Sequence, residues 1–274
     1  MNENNKILLI LSINSIISFV LSFLIIFIPS QVVVLIVAGL FEIPTKFEYF
    51  KLIFPIPDHS YLWTQLSVSV IYAVTPLIGL IVALFSRWYF NRYGIKKSVP
   101  LRLLLIWLYI HGMNFIFGAL IIGIPLIKDV GFIPDWLYFP DIIDVLIISF
   151  SFIVLIYNGV FINYSIQTLA FDESFNHRPY YSLLFKWYLL FMPFLVSILF
   201  FNIFNFPNNT PFIRLLLSAI IIQFITVFPY RTVYFKVDEN IKNIDISWKY
   251  LFLLVMVFIL FVIWRYLHNN IWYA

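Results

Sequence analysis

Long apolar runs separated by short polar connections limit most strongly what this chain can fold into. Seven runs approach or exceed the length of a membrane crossing, at residues 7–29, 62–86, 102–126, 139–165, 182–204, 211–229 and 249–267. A hydrocarbon core about 30 Å thick requires about 20 residues of apolar helix. The sequence therefore predicts an all-α, polytopic transmembrane helix bundle of about seven spans, with residues 1–274 forming a single integral membrane domain.

The composition argues against a water-soluble fold. Hydrophobic residues make up 63% of the 274 positions and charged residues 11%, whereas soluble domains carry roughly 45–50% apolar and about 25% charged residues. The chain contains no cysteine, which excludes disulfides, thiolate catalysis and zinc sites with cysteine ligands. We therefore expect a multi-pass protein whose first partner is the lipid bilayer.

The N-terminal region contains one long apolar run and one short one. The first is longer than the roughly 7–15 apolar residues of a signal peptide, so residues 7–29 are expected to form an uncleaved first helix. The second, QVVVLIVAGLF at 31–41, is too short to cross a bilayer. We interpret it as a re-entrant or interfacial piece, or as a loop packed on the bundle.

The distribution of lysine and arginine predicts the orientation of the chain. Cytoplasmic loops carry an excess of these residues, and the segment 87–102 holds five of them and no acid. A cytoplasmic N-terminus leaves twelve basic residues inside and five outside. The net charge of +4 is thus interpreted as topology, and no nucleic-acid partner is expected. Abundant Phe, Ile, Tyr and Asn suggest an AT-rich genome, and hence a bacterial cytoplasmic (inner) membrane.

Polar residues inside the third and fourth predicted spans form the candidate site. His111 and Asn114 share a helix face and, at 1.5 Å per residue, lie about 14 and 18 Å from the inner surface. Asp144, one turn after Asp141, lies about 6 Å below the outer boundary. Ionisable side chains within a membrane are costly and often functional. We therefore predict that His111, Asn114, Asp141 and Asp144 form a polar patch used for binding or for packing.

The fourth span extends this patch towards the inner surface. Asp144, Ser151, Asn158 and Ser165 are spaced by seven residues, so they form one stripe that drifts only about 20° per heptad. This stripe is expected to face protein or water rather than lipid. The alternative for its outer end is that Asp141 caps the helix after a proline, with both aspartates hydrated at the interface.

Helix packing and the membrane interface account for other polar residues of the predicted spans. Small hydroxyl residues on one side of the first span are expected to let helices approach closely; they are Ser12, Ser15, Ser18 and Ser22. Lys186 and Arg214 lie just inside the ends of the fifth and sixth spans. Long basic side chains at such positions usually extend to the headgroups.

No motif in the sequence identifies a reaction. The chain has no HExxH zinc motif, no GxSxG nucleophile elbow and no nucleotide-binding loop. Catalytic residues are therefore not assigned, and neither a metal nor a cofactor is expected.

The sequence is compatible with three functions. The first is a non-catalytic, membrane-embedded subunit of a larger complex, with other membrane proteins as partners. The second is a small-solute transporter with a polar pathway along the fourth span. The third is an intramembrane enzyme acting on a lipid-linked substrate, with His111 and Asp144 as acid–base groups. We favour the first, because polar residues in membrane helices usually serve packing.

Overall fold

A computed structural model of the chain describes residues 3–48, 51–57, 59–94, 97–172, 175, 178–203, 211–228, 245–267 and 271–273. Within these ranges, five helices are long and apolar enough to cross a membrane: Asn4–Leu40, Gln65–Tyr93, Val99–Leu126, Asp141–Gln167 and Pro179–Asn202. They coincide with the first five predicted spans, because each contains an uninterrupted apolar run of the required length. The chain is thus a helical, multi-pass integral membrane protein.

The helices follow one another along the chain in this order: α1 (Glu3–Leu40), α2 (Gln65–Tyr93), α3 (Val99–Met113), α4 (Ala119–Leu126), α5 (Phe132–Trp136), α6 (Asp141–Gln167), α7 (Pro179–Lys186), α8 (Met192–Ile203), α9 (Pro211–Ser218), α10 (Ile220–Phe224) and α11 (Trp248–Leu267). A π-helical turn, Asn114–Gly118, joins α3 to α4, and a second one, Trp187–Phe191, joins α7 to α8. Each pair of helices therefore forms one crossing with a widened turn inside it.

The last two predicted spans look different from the first five. The predicted sixth span is divided into α9 and α10, and its apolar stretch Phe212–Phe224 would cover only about 20 Å as a helix. The predicted seventh span corresponds to the 20-residue helix α11. The count of seven crossings stays a prediction.

The interpretation of residues 31–41 as a loop or a re-entrant piece was wrong, and an interfacial position of this segment stays a prediction. Helix α1 continues through Pro29 to Leu40, which makes it 38 residues long. Pro29 leaves the Ile25 carbonyl without its helical donor, and packing against neighbouring helices lets membrane helices tolerate such a loss. The Ser30 hydroxyl donates to a different carbonyl, that of Phe27, over 2.7 Å. The extension is held against the bundle on one side, where Ala38 is fully buried.

A small antiparallel sheet with strand order β2-β1-β3 accompanies the helices. Strands β1 (Thr45–Glu48) and β2 (Lys51–Ile53) lie between α1 and α2, and β3 (Ile271–Tyr273) pairs with β1. The sheet places the C-terminal strand at the same end of the molecule as the α1–α2 connection. We call this end the hairpin end. Since α1 starts at the opposite end, an odd number of crossings would bring the C-terminal strand here.

The opposite end, called the N-terminal end, collects the start of α1 and the end of α6. The Asn4 side-chain amide donates to the Asp172 carboxylate over 3.4 Å. Near by in the fold, the Arg102 guanidinium at the start of α3 donates to the Thr168 hydroxyl over 2.8 Å and also to the Thr168 carbonyl. Successive helices therefore run in opposite directions, as short connections require.

Helices α2 and α3 pack through two glycines that face each other. A Cβ atom on Gly112 would lie 2.5 Å from the Gly79 carbonyl oxygen and 2.8 Å from the Ala83 Cβ. A Cβ on Gly79 would lie 2.8 Å from the Phe115 Cβ. Backbones this close are possible only with small residues, and this contact fixes the position of the π-turn relative to α2.

Candidate functional site

His111 lies at the centre of an aromatic cluster. It is fully buried, and its ring centroid is 4.5 Å from that of Phe19, 5.8 Å from that of Phe23 and 6.0 Å from that of Trp107. Neither ring nitrogen makes a hydrogen bond of good geometry with the described residues, although the Phe19 backbone lies close to the ring. The imidazole is therefore surrounded mainly by apolar rings from α1 and from its own helix.

Asn114 opens the π-turn and points to another part of the bundle. Its amide nitrogen donates a 2.6 Å hydrogen bond to the Leu216 carbonyl of α9. Its side-chain oxygen lies where a Cβ on Gly118 would be, so glycine at 118 leaves the space that the Asn114 side chain occupies. Asn114 thus links α3 to α9.

The structure does not bring the two halves of the predicted polar patch together by hydrogen bonds. Asp141 is exposed and Asp144 is half-buried in the first turns of α6. Among the described residues, the Asp144 oxygen Oδ1 has no hydrogen-bond partner, and the Asn114 amide is bonded to Leu216 instead. Both aspartates lie near the N-terminus of α6, where the helix dipole stabilises negative charge.

The inner part of the α6 stripe does face protein. Ser151, Asn158 and Ser165 are all buried, and the Tyr109 hydroxyl of α3 donates a 2.8 Å hydrogen bond to the Asn158 side-chain oxygen. The next residue, Gly159, lies so close to α10 that a Cβ atom there would collide with the Gln223 carbonyl oxygen and with the Thr226 hydroxyl just after the helix. This face of α6 is therefore a packing surface against α3 and α10.

Sequence reasoning missed two buried cations at the N-terminal end. Arg102 is 1% exposed and binds Thr168, and Lys186 is 2% exposed and donates a 2.8 Å hydrogen bond to the Val227 carbonyl. The expectation that Lys186 extends to the headgroups was therefore wrong. Its position near a helix end was compatible with either role, because sequence spacing does not reveal which neighbouring carbonyl a side chain can reach.

Other buried polar side chains also donate to the backbone of a different helix. The Ser15 hydroxyl of α1 donates to the Leu189 carbonyl over 2.6 Å and accepts from the Trp107 indole over 2.8 Å. The Gln223 amide of α10 donates to the Ile110 carbonyl over 3.1 Å. Together with Asn114 and Lys186, these residues form a set that we call the interhelical ties.

A cavity of about 130 Å³ lies at the hairpin end, between α1, α2, the π-turn, the α4–α5 connection and α9. Its walls are mainly apolar and include Phe27, Ile71, Phe115 and Leu216. A second cavity of about 110 Å³ lies between α8 and α9 and includes Arg214. Neither cavity is lined by the six residues of the predicted patch and stripe: His111, Asn114, Asp141, Asp144, Ser151 and Asn158.

The chemistry of the described residues gives no centre that holds a metal. Across the described ranges, no group of three or more His, Asp and Glu side chains is placed to bind a metal ion.

No protein-family model, no curated protein and no solved structure matches this chain.

Proposed function

We propose that this multi-pass protein is a non-catalytic, membrane-embedded subunit of a larger complex. The interhelical ties support this proposal, because in each of them a buried polar side chain joins two parts of the bundle. A pathway or an intramembrane catalytic site would instead direct polar side chains towards a cavity. Of the predicted site residues, Asp141 and Asp144 lie in the first turns of α6. The other four are buried within the bundle.

The outward face of α6 is the observation that carries the proposal. Of the five long apolar helices, α6 has the smallest buried share of its apolar window. Two polar residues on its exposed side, Ser149 and Tyr157, lie well within the helix, and Tyr157 is 69% exposed. At 1.5 Å per residue they lie about 12 and 24 Å from the start of α6.

The Ser149 hydroxyl, at about 12 Å, lies deep enough to favour a protein neighbour over lipid. Tyr157 lies closer to the opposite boundary and would meet the same neighbour there. Polar side chains within membrane helices normally face other helices, where small and hydrogen-bonding residues hold the helices together. We therefore assign the exposed face of α6 to a transmembrane helix of a different protein, one that presents small or hydrogen-bonding side chains to Ser149 and Tyr157.

The test compares the native size of the assembly in wild type and in a double variant. The tagged full chain is extracted from its own host into polymer-bounded discs, and its mass is measured by native gel and by mass photometry. Wild type should run as a discrete assembly with a second protein in fixed ratio. Ser149→Ala with Tyr157→Leu should release the lone chain with an unchanged melting temperature.

A matched control changes two exposed apolar residues on α2. Leu77→Ala with Leu84→Ala removes side chains that are 53% and 55% exposed, and this variant should keep the assembly. A wild-type chain that runs alone would contradict the proposal. An assembly made only of copies of this chain would also contradict it, because the partner would then be a second copy.

A further inference from the structure

The geometry points to the cavity at the hairpin end as a binding site for an apolar chain or ring that carries at most one neutral hydrogen-bonding group. This inference concerns a surface separate from α6 and does not depend on the proposed partner. The cavity is the larger of the two described in the structure.

The walls of the cavity are built from buried apolar side chains of several elements. Phe27 on α1, Ile71 on α2, Phe115 on the π-turn and Leu216 on α9 are each at most 6% exposed and all line it. These residues come from parts of the chain far apart in sequence. The cavity is therefore held open by the packing of the bundle rather than by one flexible loop.

The shape of two helices keeps this space available. Pro76 lies inside α2 and lines the cavity, and a proline removes a backbone donor and bends a membrane helix. On the facing side, Phe115 and Ala119 belong to the π-turn and the residue after it. Single π-turns inside α-helices are frequent at functional sites, and this π-turn contributes Phe115 to the cavity wall.

The size of the cavity sets the size of its occupant. A closed apolar cavity of about 150 Å³ stays dry and accepts benzene. The present volume of about 130 Å³ thus fits one ring or a chain end of about six carbons. A whole lipid does not fit, so the rest of such a molecule would lie outside the cavity.

The polar groups at the cavity wall limit the ligand further. Gln31 and Thr75 are half-buried and contribute an amide and a hydroxyl. Asp129 is the one charged residue of the described lining, and it is exposed at the rim. The apolar walls disfavour a charged ligand, whereas an ester, ketone or hydroxyl group can bond to the amide or hydroxyl.

Two sources can supply this chemistry, and two photoprobes distinguish them. The first probe is phosphatidylcholine with a diazirine at the end of one acyl chain, and the second is the small ring compound 3-trifluoromethyl-3-phenyldiazirine. Each loses dinitrogen on illumination, and the resulting carbene inserts into a neighbouring bond. The full chain in lipid nanodiscs is illuminated with one probe at a time, and labelled residues are located by mass spectrometry.

We expect labelling at Phe115 and Leu216 inside the cavity, together with labelling at the exposed residue Leu77. Ala119→Leu adds bulk to the cavity wall and should reduce the inner labelling by about tenfold. The same variant should leave Leu77 labelling unchanged. Val34→Phe fills the cavity from α1 and serves as a second variant, while Leu77→Phe on the exposed side of α2 is the control.

A competition experiment tests the same site in the wild-type chain. An excess of unlabelled toluene or of unlabelled lipid should reduce the inner labelling in a saturable manner. Labelling by the lipid probe assigns the site to a membrane lipid chain, and labelling by the ring probe alone assigns it to a free small molecule. No labelling of Phe115 or Leu216 by either probe, or inner labelling that neither filling nor competition reduces, would overturn the inference.

Discussion

Asn114 and Leu216 are joined by a 2.6 Å hydrogen bond from the asparagine side chain to the leucine carbonyl, although 102 residues separate them in sequence. The bond links the π-turn after α3 to α9, which lies beside the apolar cavity. A polar side chain in the middle of an apolar run is thus explained by its partner. It holds a helix in place, and such bonds contribute about 0.6 kcal/mol on average in membrane proteins.

Replacing His111 by phenylalanine should leave the free energy of unfolding unchanged or raise it slightly. The imidazole is packed between aromatic rings, with a centroid distance of 4.5 Å to Phe19, and its nitrogens make no hydrogen bond of good geometry with the described residues. Removing buried polar atoms while keeping the ring shape is commonly neutral or stabilising. SDS-induced unfolding in mixed micelles measures the difference. A loss larger than about 1 kcal/mol would mean that His111 makes a polar interaction.

Alanine at position 112 should destabilise the bundle by about 1–3 kcal/mol. The added Cβ would lie 2.5 Å from the Gly79 carbonyl oxygen, so α2 and α3 would have to separate. Gly39→Ala is the matched control, because a Cβ at Gly39 meets no atom within 4 Å. The control should be neutral or stabilising by up to about 1 kcal/mol, since alanine favours helix. Equal losses in the two variants would argue against the close α2–α3 contact.

Arg102→Lys should cost about 1.5–3 kcal/mol of unfolding free energy. The Nη2 atom of the buried guanidinium donates to both oxygens of Thr168. The lysine side chain is one bond shorter, and an ammonium is more strongly hydrated than a guanidinium, so its burial costs more. Arg92→Lys on the exposed end of α2 is the control and should change stability by about 0.5 kcal/mol at most. If the two variants were equally stable, the link between α3 and the end of α6 would contribute nothing.

Asn14→Ala should loosen the start of α11. The Asn14 side chain donates to the Asp245 carbonyl over 3.1 Å and accepts from the Ser247 amide over 2.9 Å. Hydrogen exchange at the Ser247 amide should accelerate about fivefold, as expected for the loss of about 1 kcal/mol. The Ser67 amide, which the Thr64 hydroxyl holds at the start of α2, provides an internal control. Unchanged exchange at Ser247 would show that Asn14 does not hold α11.

The sequence allowed the first five crossings to be predicted because apolar length alone determines them. Local spacing also identified buried faces: the serines of α1 and the stripe Ser151, Asn158 and Ser165 are all buried in the structure. These predictions needed only helical periodicity. The identity of the facing helix was not required for them.

What could not be predicted depends on long-range contacts or on local compensation. The partner of Asn114 is 102 residues away, and Lys186 finds the Val227 carbonyl 41 residues further on. Helix α1 continues through Pro29 although residues 31–41 were predicted as a separate piece, and the packing of the extension, with Ala38 fully buried, holds it there. Spacing along one helix contains no information on these contacts.

The most direct test of a packed, non-catalytic bundle is the accessibility of its buried polar positions to water. The chain has no cysteine, so single cysteines can be placed at positions 111, 114, 151 and 158 without background. The folded protein is treated with a membrane-impermeant maleimide from each side in turn. A cysteine at the exposed position 141 serves as the positive control, and each variant is labelled again after unfolding.

We predict labelling at position 141 in the folded protein and at all five positions after unfolding. Positions 111, 114, 151 and 158 should stay unlabelled in the folded bundle, because protein surrounds each of them. Labelling at 151 and 158 in the folded state would contradict the account, since it would show a water-filled pathway along α6.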